Sequence, residues 1–325
     1  MGNSAADGTG GGLYLTDNTI TECLDCRFER NAAKGGGGAR IYQAATGLFR
    51  ECVFDGNTAD TTGVEGFGGG ACIADHQEYG GMACFTNCVF RNNSALDRGG
   101  AFRGGKDAFT RAELVGCVIT NNTCKYVGGG VYVRDSDKSL LDTRFVMRNC
   151  LVAHNGTTAT GSGAASGGGV YLCAYANPVI DSCTIVSNAV PSNSSGGGLY
   201  HRWGGTVTNT IIACNLKGSS METGSDWCLN VGTPSDAYSY CCVWPEAPSV
   251  FLAGNGCVNA DPKFSNAAAG DFSLAHGSPC VNAGVTEAWM SGAFDLSGGK
   301  RVSGSSADIG CYELFIPPGL IFTVW

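Results

Sequence analysis

Charge is scarce in this chain. Asp, Glu, Lys and Arg make up 15% of the 325 residues, where an average domain carries about a quarter. Lys and Arg number 20 and the formal net charge is −8. The clustered cations that neutralise phosphates are therefore missing, which excludes nucleic acid as a partner. No run of about eighteen apolar residues occurs, so no transmembrane helix is expected. The first residues, Met1-Gly2-Asn3-Ser4-Ala5, have neither a basic nor an apolar segment, and no signal peptide is encoded there. His76, His154, His201 and His276 show no metal-ligand spacing. No stretch carries a helical apolar stripe, yet 43% of the residues are apolar, so the chain folds rather than staying disordered.

What is plentiful is glycine, with 51 residues, and cysteine, with 18. Both repeat. Glycine-rich runs end at Gly12, Gly38, Gly70, Gly100, Gly130, Gly169 and Gly198, each followed by an apolar segment. Between them recurs Cys-x-apolar-x-x-Asn: Cys26 with Asn31, then Cys52 with Asn57, Cys88 with Asn93, Cys117 with Asn122, Cys150 with Asn155 and Cys183 with Asn188. Thr210 with Asn215 is a seventh copy. The two motifs alternate strictly, in units of roughly thirty residues, a solenoid period. Apolar residues alternate around each motif with period two, as in short strands half-buried on one side. The fold expected is all-β: a right-handed parallel β-helix with three short strands per coil and about seven clear coils. The hand follows from the crossover preference of parallel strands. Aligned Asn side chains suit a turn that tolerates left-handed backbone and can bond coil to coil. Three regions result: residues 1–9 as a disordered or truncated end, 10–215 as the repeats, and 216–325 as irregular last coils with a β-rich closing module. The apolar Phe315–Trp325 is too short to cross a bilayer and is expected as a terminal strand.

The cysteines fall mostly in columns that are apolar in other units, so they are expected as stacked, buried free thiols. Cys23-x-x-Cys26 is no exception, because both positions are column positions. Cys241, Cys242, Cys257, Cys280 and Cys311 lie outside the columns and could pair.

The combination of GG-A/V/L with F-x-x-N, as in Phe28-Glu29-Arg30-Asn31, resembles the repeats of chlamydial polymorphic outer-membrane proteins. Farther along, Asp261-Pro262-Lys263-Phe264, Ser278-Pro279-Cys280-Val281-Asn282-Ala283-Gly284 and Asp308-Ile309-Gly310-Cys311-Tyr312-Glu313 look like the closing module of bacterial β-helix proteins of the pectate-lyase-like superfamily, often labelled choice-of-anchor proteins. Such proteins are typically exported, so the likeness implies an extracellular or cell-surface location. It implies an architecture and no particular activity.

Function must then come from exposed residues. The outward column after the glycine runs holds Phe102, Tyr132, Tyr171 and Tyr200, with Arg134, Arg202 and Trp203 just beyond. Aromatic faces can stack on sugar rings and Arg forks pair with carboxylates, so the partner expected is a polysaccharide, most naturally an acidic one. The same stripe would also stabilise a sheet on its own. The following loops are charged in coils three to five. Lyase chemistry there would use Lys106, Asp107, Arg134 and Asp135 to clamp a uronate carboxylate and remove the adjacent proton. Asp75, Asp107, Asp135 and Asp137 could supply hard oxygens to Ca²⁺; no cofactor is demanded. The primary expectation is a secreted or surface β-helix acting as an adhesin or binding scaffold. The alternative is an enzyme, a polysaccharide lyase before a glycoside hydrolase.

Overall fold

The computed structural model describes residues 2–5, 8–60, 66–74, 80–104, 110–134, 145–160, 165–174, 177–221, 226–229, 237–245 and 255–315. The chain winds into a parallel β-helix with four eight-stranded parallel sheets. A glycine sheet runs from Leu13–Leu15 to Trp227–Leu229, and a long sheet from Ile20–Leu24 to Tyr238–Ser239. A cysteine sheet runs from Arg27–Glu29 to Cys242–Trp244. The fourth, an asparagine sheet, is made of two-residue strands from Ser4–Ala5 to Leu216–Lys217. It follows each Asn and adds a strand to the three expected per coil. Three of the sheets continue past residue 215 into an eighth coil.

The inward columns are those the period predicts. Phe28, Phe54 and Phe90 stack with centroids 4.6 Å apart, and Phe49 stacks on Phe85 at 4.8 Å. The two columns meet edge to face, as in Phe85 against Phe90 at 5.2 Å, the arrangement aromatic quadrupoles favour. From coil four the same columns turn aliphatic, with Leu114, Met147, Ile180 and Val207 beside Ile119, Val152, Ile185 and Ile212, all buried.

The asparagines form the coil-to-coil ladder, with every link from Asn31 to Asn215 at 2.9–3.0 Å. Asn93 is typical. Its Oδ1 accepts from the backbone and side-chain N–H of Asn57, and its Nδ2 donates to Phe54 O and Asn122 Oδ1, so all four of its hydrogen-bonding valences are used. One expectation is corrected here. The left-handed residue of this corner is the one before the Asn, namely Arg30, Gly56, Asn92, Asn121, His154, Ser187 and Cys214. The Asn itself stays out of that region and points inward, where its amide can be satisfied. A Cβ at Gly169 would sit 2.8 Å from the Asn188 amide. Glycine run and Asn ladder are two sides of one contact, which is why they alternate so strictly.

All the described cysteines are free thiols. Cys241 and Cys257 are not outside the repeats, as expected from spacing, but continue the cysteine column: Cys242 bridges Val258 in parallel, and the Cys241 N–H donates to Cys257 Sγ at 3.4 Å. His201 is fully buried in an inward column, its Nε2 donating to Gly204 O at 3.0 Å and its Nδ1 accepting from the Tyr238 hydroxyl at 2.7 Å.

Residues 259–315 are mostly turns, with one short hairpin, Phe264–Asn266 and Asp271–Leu274. They pack along the side of the solenoid. Leu151, Ala153 and Val186 of the cysteine sheet, outward by alternation, are buried with Phe272 and Cys311; Ile211, Ala213 and Cys242 are buried with Leu274, Cys280 and Ile309. Polar pins hold the margin. Trp289 Nε1 donates to Asp181 Oδ2 at 2.6 Å, and Asn149 Nδ2 to Phe294 O at 3.1 Å. Beyond Phe315 the expected terminal strand lies outside the described residues.

Candidate functional site

The outer face of the glycine sheet carries a groove of about 480 Å³ on coils four to seven. Its floor is built by register. Tyr132, Tyr171 and Tyr200 are Cα partners on neighbouring strands, and two residues on, so are Arg134, Cys173 and Arg202. Tyr132 and Tyr171 stack at 5.4 Å, and Tyr171 and Tyr200 at 4.7 Å with planes 2° apart. Arg98 closes the stack over Tyr132, its guanidinium 5.6 Å from the ring centroid and 3.3 Å from the hydroxyl. Arg98 also pairs with Asp97 at 3.3 Å. At the far end Arg202 lies over the Trp203 indole at 4.3 Å.

Both faces of Tyr171 are taken by its neighbours. What the groove offers is therefore not a row of aromatic faces but a row of ring edges and hydroxyls, set among guanidiniums. Burial pushes the Tyr171 phenol well above its ordinary value, so it remains a proton donor through neutral pH. Burial also raises the Cys173 thiol, against the hydrogen bond from Tyr171 and the flanking Arg202 and Arg134. The Arg202 Nε–H is buried with no hydrogen-bond partner among the described residues, an orphaned donor of the kind a ligand oxygen satisfies. Trp203, a bulky residue, holds a left-handed backbone with φ 75°, and such outliers concentrate at functional sites.

Of the residues expected from sequence, Tyr132, Tyr171, Arg134, Arg202 and Trp203 line this one groove, with Tyr200 completing the stack. Phe102 does not belong to it. Phe102 is fully buried and pairs with Ala71 and Val131 in the inward column, while Arg103 takes the outward place opposite Tyr132. The glycine run of coil four is one residue short, and Ala101 stands where other coils have their third glycine, so counting from the last glycine shifts the register by one. Arg103 is buried, donating to Ile73 O at 2.9 Å and lying over the Phe67 ring at 4.6 Å. Sequence reasoning missed Asp97, Arg98 and Cys173. Cys173 was readable as the residue between Arg134 and Arg202 in their column. Arg98 precedes the glycine turn, a position filled elsewhere by Phe67, Val127, Ser166 and Ser195, and no periodic signal marks it.

Lys106, Asp107, Asp135 and the Ca²⁺ set of Asp75, Asp107, Asp135 and Asp137 lie outside the described residues. Among the described residues no group of three or more His, Cys, Asp and Glu side chains could hold a metal ion, and no helix is long and apolar enough to cross a membrane. No protein-family model and no curated protein matches this sequence.

Proposed function

We propose that the tyrosine–arginine groove binds an acidic polysaccharide and that the protein serves as a binding scaffold or adhesin at a cell surface. The observation that carries this reading is the local reversal of charge. Among the described residues the groove lining has three guanidiniums, Arg98, Arg134 and Arg202, against one carboxylate, Asp97, a formal +2 (three minus one), in a chain of net −8. Arg134 and Arg202 stand two coils apart in one column, about 9.6 Å along the solenoid, which suits carboxylates repeating on an extended polymer. Guanidinium forks recognise carboxylates bidentately, and the tyrosine hydroxyl edge supplies donors to ring oxygens. The likeness of the repeats to those of bacterial surface proteins, and of the closing module to that of pectate-lyase-like β-helices, supports a location outside the cell.

The test is calorimetric titration of the full chain with a polyuronate and with a neutral glucan of similar length. Binding to the polyuronate alone, weakened by salt and lost in Arg134→Gln/Arg202→Gln with an unchanged melting temperature, is the expected result. Equal binding of both glycans, or a double variant that binds as well as the parent, would refute it. Following the absorbance of an unsaturated uronate during the titration, with and without Ca²⁺, distinguishes a lyase from a scaffold in the same experiment.

A further inference from the structure

The cysteine column is a polar ladder, and its two ends are chemically different. In six coils the thiol has two carbonyls to donate to. One lies two residues back in its own coil, at 3.1–3.6 Å. The other lies in the coil before, Cys52 to Cys23 O, Cys88 to Phe49 O, Cys117 to Phe85 O, Cys150 to Leu114 O, Cys183 to Met147 O and Cys241 to Val207 O, at 3.3–3.5 Å. By this rule Cys257 would donate to Tyr238 O. That carbonyl instead accepts from Asn255 Nδ2 at 3.1 Å. The only carbonyl left to the Cys257 thiol among the described residues is Asn255 O at 4.0 Å, too long for more than a weak contact. Meanwhile its sulfur accepts the Cys241 N–H at 3.4 Å. At the opposite end, Cys26 donates to Leu24 O at 3.3 Å. Among the described residues the last sulfur of the ladder thus accepts an N–H and lacks the cross-coil carbonyl that takes the proton of the other thiols, and a donated N–H favours the thiolate.

Cys257 is also reachable. It is partly exposed, whereas Cys52, Cys88, Cys117, Cys150, Cys183 and Cys241 are fully buried. Among the described residues the titratable groups packed about it are the Cys241 thiol and the Tyr240 ring, which lies against Gly256. Adjacent coils set in-register Cα atoms about 4.8 Å apart, inside the range a disulfide spans, and the Cys242–Val258 bridge places Cys241 and Cys257 in register.

We propose that Cys257 and Cys241 form a thiol–disulfide exchange site at the C-terminal end of the cysteine ladder, with a low-molecular-weight disulfide as co-reactant. The Cys257 thiolate attacks one sulfur of the disulfide, forming a mixed disulfide and expelling one thiolate. The Cys241 thiol then gives its proton to that thiolate and attacks the Cys257 sulfur, expelling the second. One disulfide of the co-reactant is reduced to two thiols as one forms between the coils. When Cys257 ionises the Cys241 thiol turns from Val207 O to the Cys257 sulfur, and with the backbone N–H groups of Cys241 and Tyr240 this outweighs burial and holds Cys257 down at about 7. Burial raises three further partly exposed thiols, Cys23, Cys84 and Cys214, to about 11.

The probe is an aromatic disulfide that releases a coloured thiolate, added to the folded full chain, with the modified cysteine located by peptide mapping. At pH 7 Cys257 is expected to react about a hundredfold faster than the thiols near 11, once their greater nucleophilicity is set against their smaller thiolate fraction. The fast phase should release two thiolates per chain, with its rate half-maximal near pH 7. Cys257→Ser should abolish that phase and Cys26→Ser should leave it. Cys241→Ser should trap the mixed disulfide, releasing one thiolate. A fast phase that survives Cys257→Ser, maps to Cys26, or is half-maximal above about pH 9 overturns the proposal. So does a Cys241→Ser variant that still releases two.

Discussion

The two halves of the solenoid use the same coil spacing on opposite sides of the wall. In coils one to three, stacked rings lie inside, where Phe49, Phe54, Phe85 and Phe90 are buried, and the outward residues of the cysteine sheet include the exposed Arg27, Glu29 and Arg91. In coils five to seven the two inner columns that held those rings are aliphatic, the stacked rings are tyrosines on the outside, and the cysteine sheet is covered by the C-terminal segment. A regular stack is thus a property of the repeat. Whether it serves stability or recognition depends on which side of the wall it faces and on what is set beside it.

The comparison breaks most visibly at Phe85, which stacks on Phe49 and meets Phe54, Phe90 and Phe102 edge-on. Phe85→Ala is expected to cost about 3–5 kcal/mol, read from denaturant unfolding. A cost under about 1 kcal/mol would show that the inner stack does not bind the coils together.

A second difference between the halves is that the later interior admits a polar pair, His201 with Tyr238. Burial pushes His201 below its ordinary 6.5, so the folded chain holds it neutral while the unfolded chain takes a proton as pH falls below about 6.5. Its contribution is present above that value and is lost on going down towards the lower folded value, at most about 1.4 kcal/mol per pH unit. Melting the parent and His201→Gln between pH 7.5 and 5 should show the variant losing less. Parallel slopes would place the acid sensitivity elsewhere.

The smallest expected change in stability sharpens the comparison from the other side. Tyr171→Phe keeps the outer stack and should shift unfolding by no more than about 0.5 kcal/mol, yet it removes a hydroxyl from the groove and should weaken polyuronate binding. A variant that binds as the parent does would take the hydroxyl edge out of the recognition surface.

Much of this architecture was legible because a column seven residues deep averages out local irregularity. The inward Phe and aliphatic columns, the Asn ladder and the Tyr column follow from periodicity alone. Where a single coil departs from the pattern, counting fails: Ala101 in place of a glycine moved Phe102 to the wrong face. The asparagine strands escaped because two residues, such as Ala32–Ala33, are too few for alternation to register. The side-on packing of residues 259–315 did leave a trace. The outward pair of the cysteine sheet changes from Arg27/Glu29 and Val53/Asp55 to Leu151/Ala153 and Ile211/Ala213, an outer face written as if it were interior. The groove was half legible, since its floor is periodic while its rim, Asp97 and Arg98, belongs to a turn.

The Asn ladder has a direction, and it has a full stop. Each amide hands its N–H forward to the oxygen of the next coil, from Asn31 through Asn215, and Asn215 gives its backbone and side-chain N–H to Asp226 Oδ1 at 2.9 and 3.0 Å. A carboxylate receives as an amide does but has no N–H to hand on. An Asn in the same place would demand an eighth acceptor; the Asp asks for none. The length of this ladder is therefore spelled by one atom, an oxygen where the preceding seven side chains carry nitrogen.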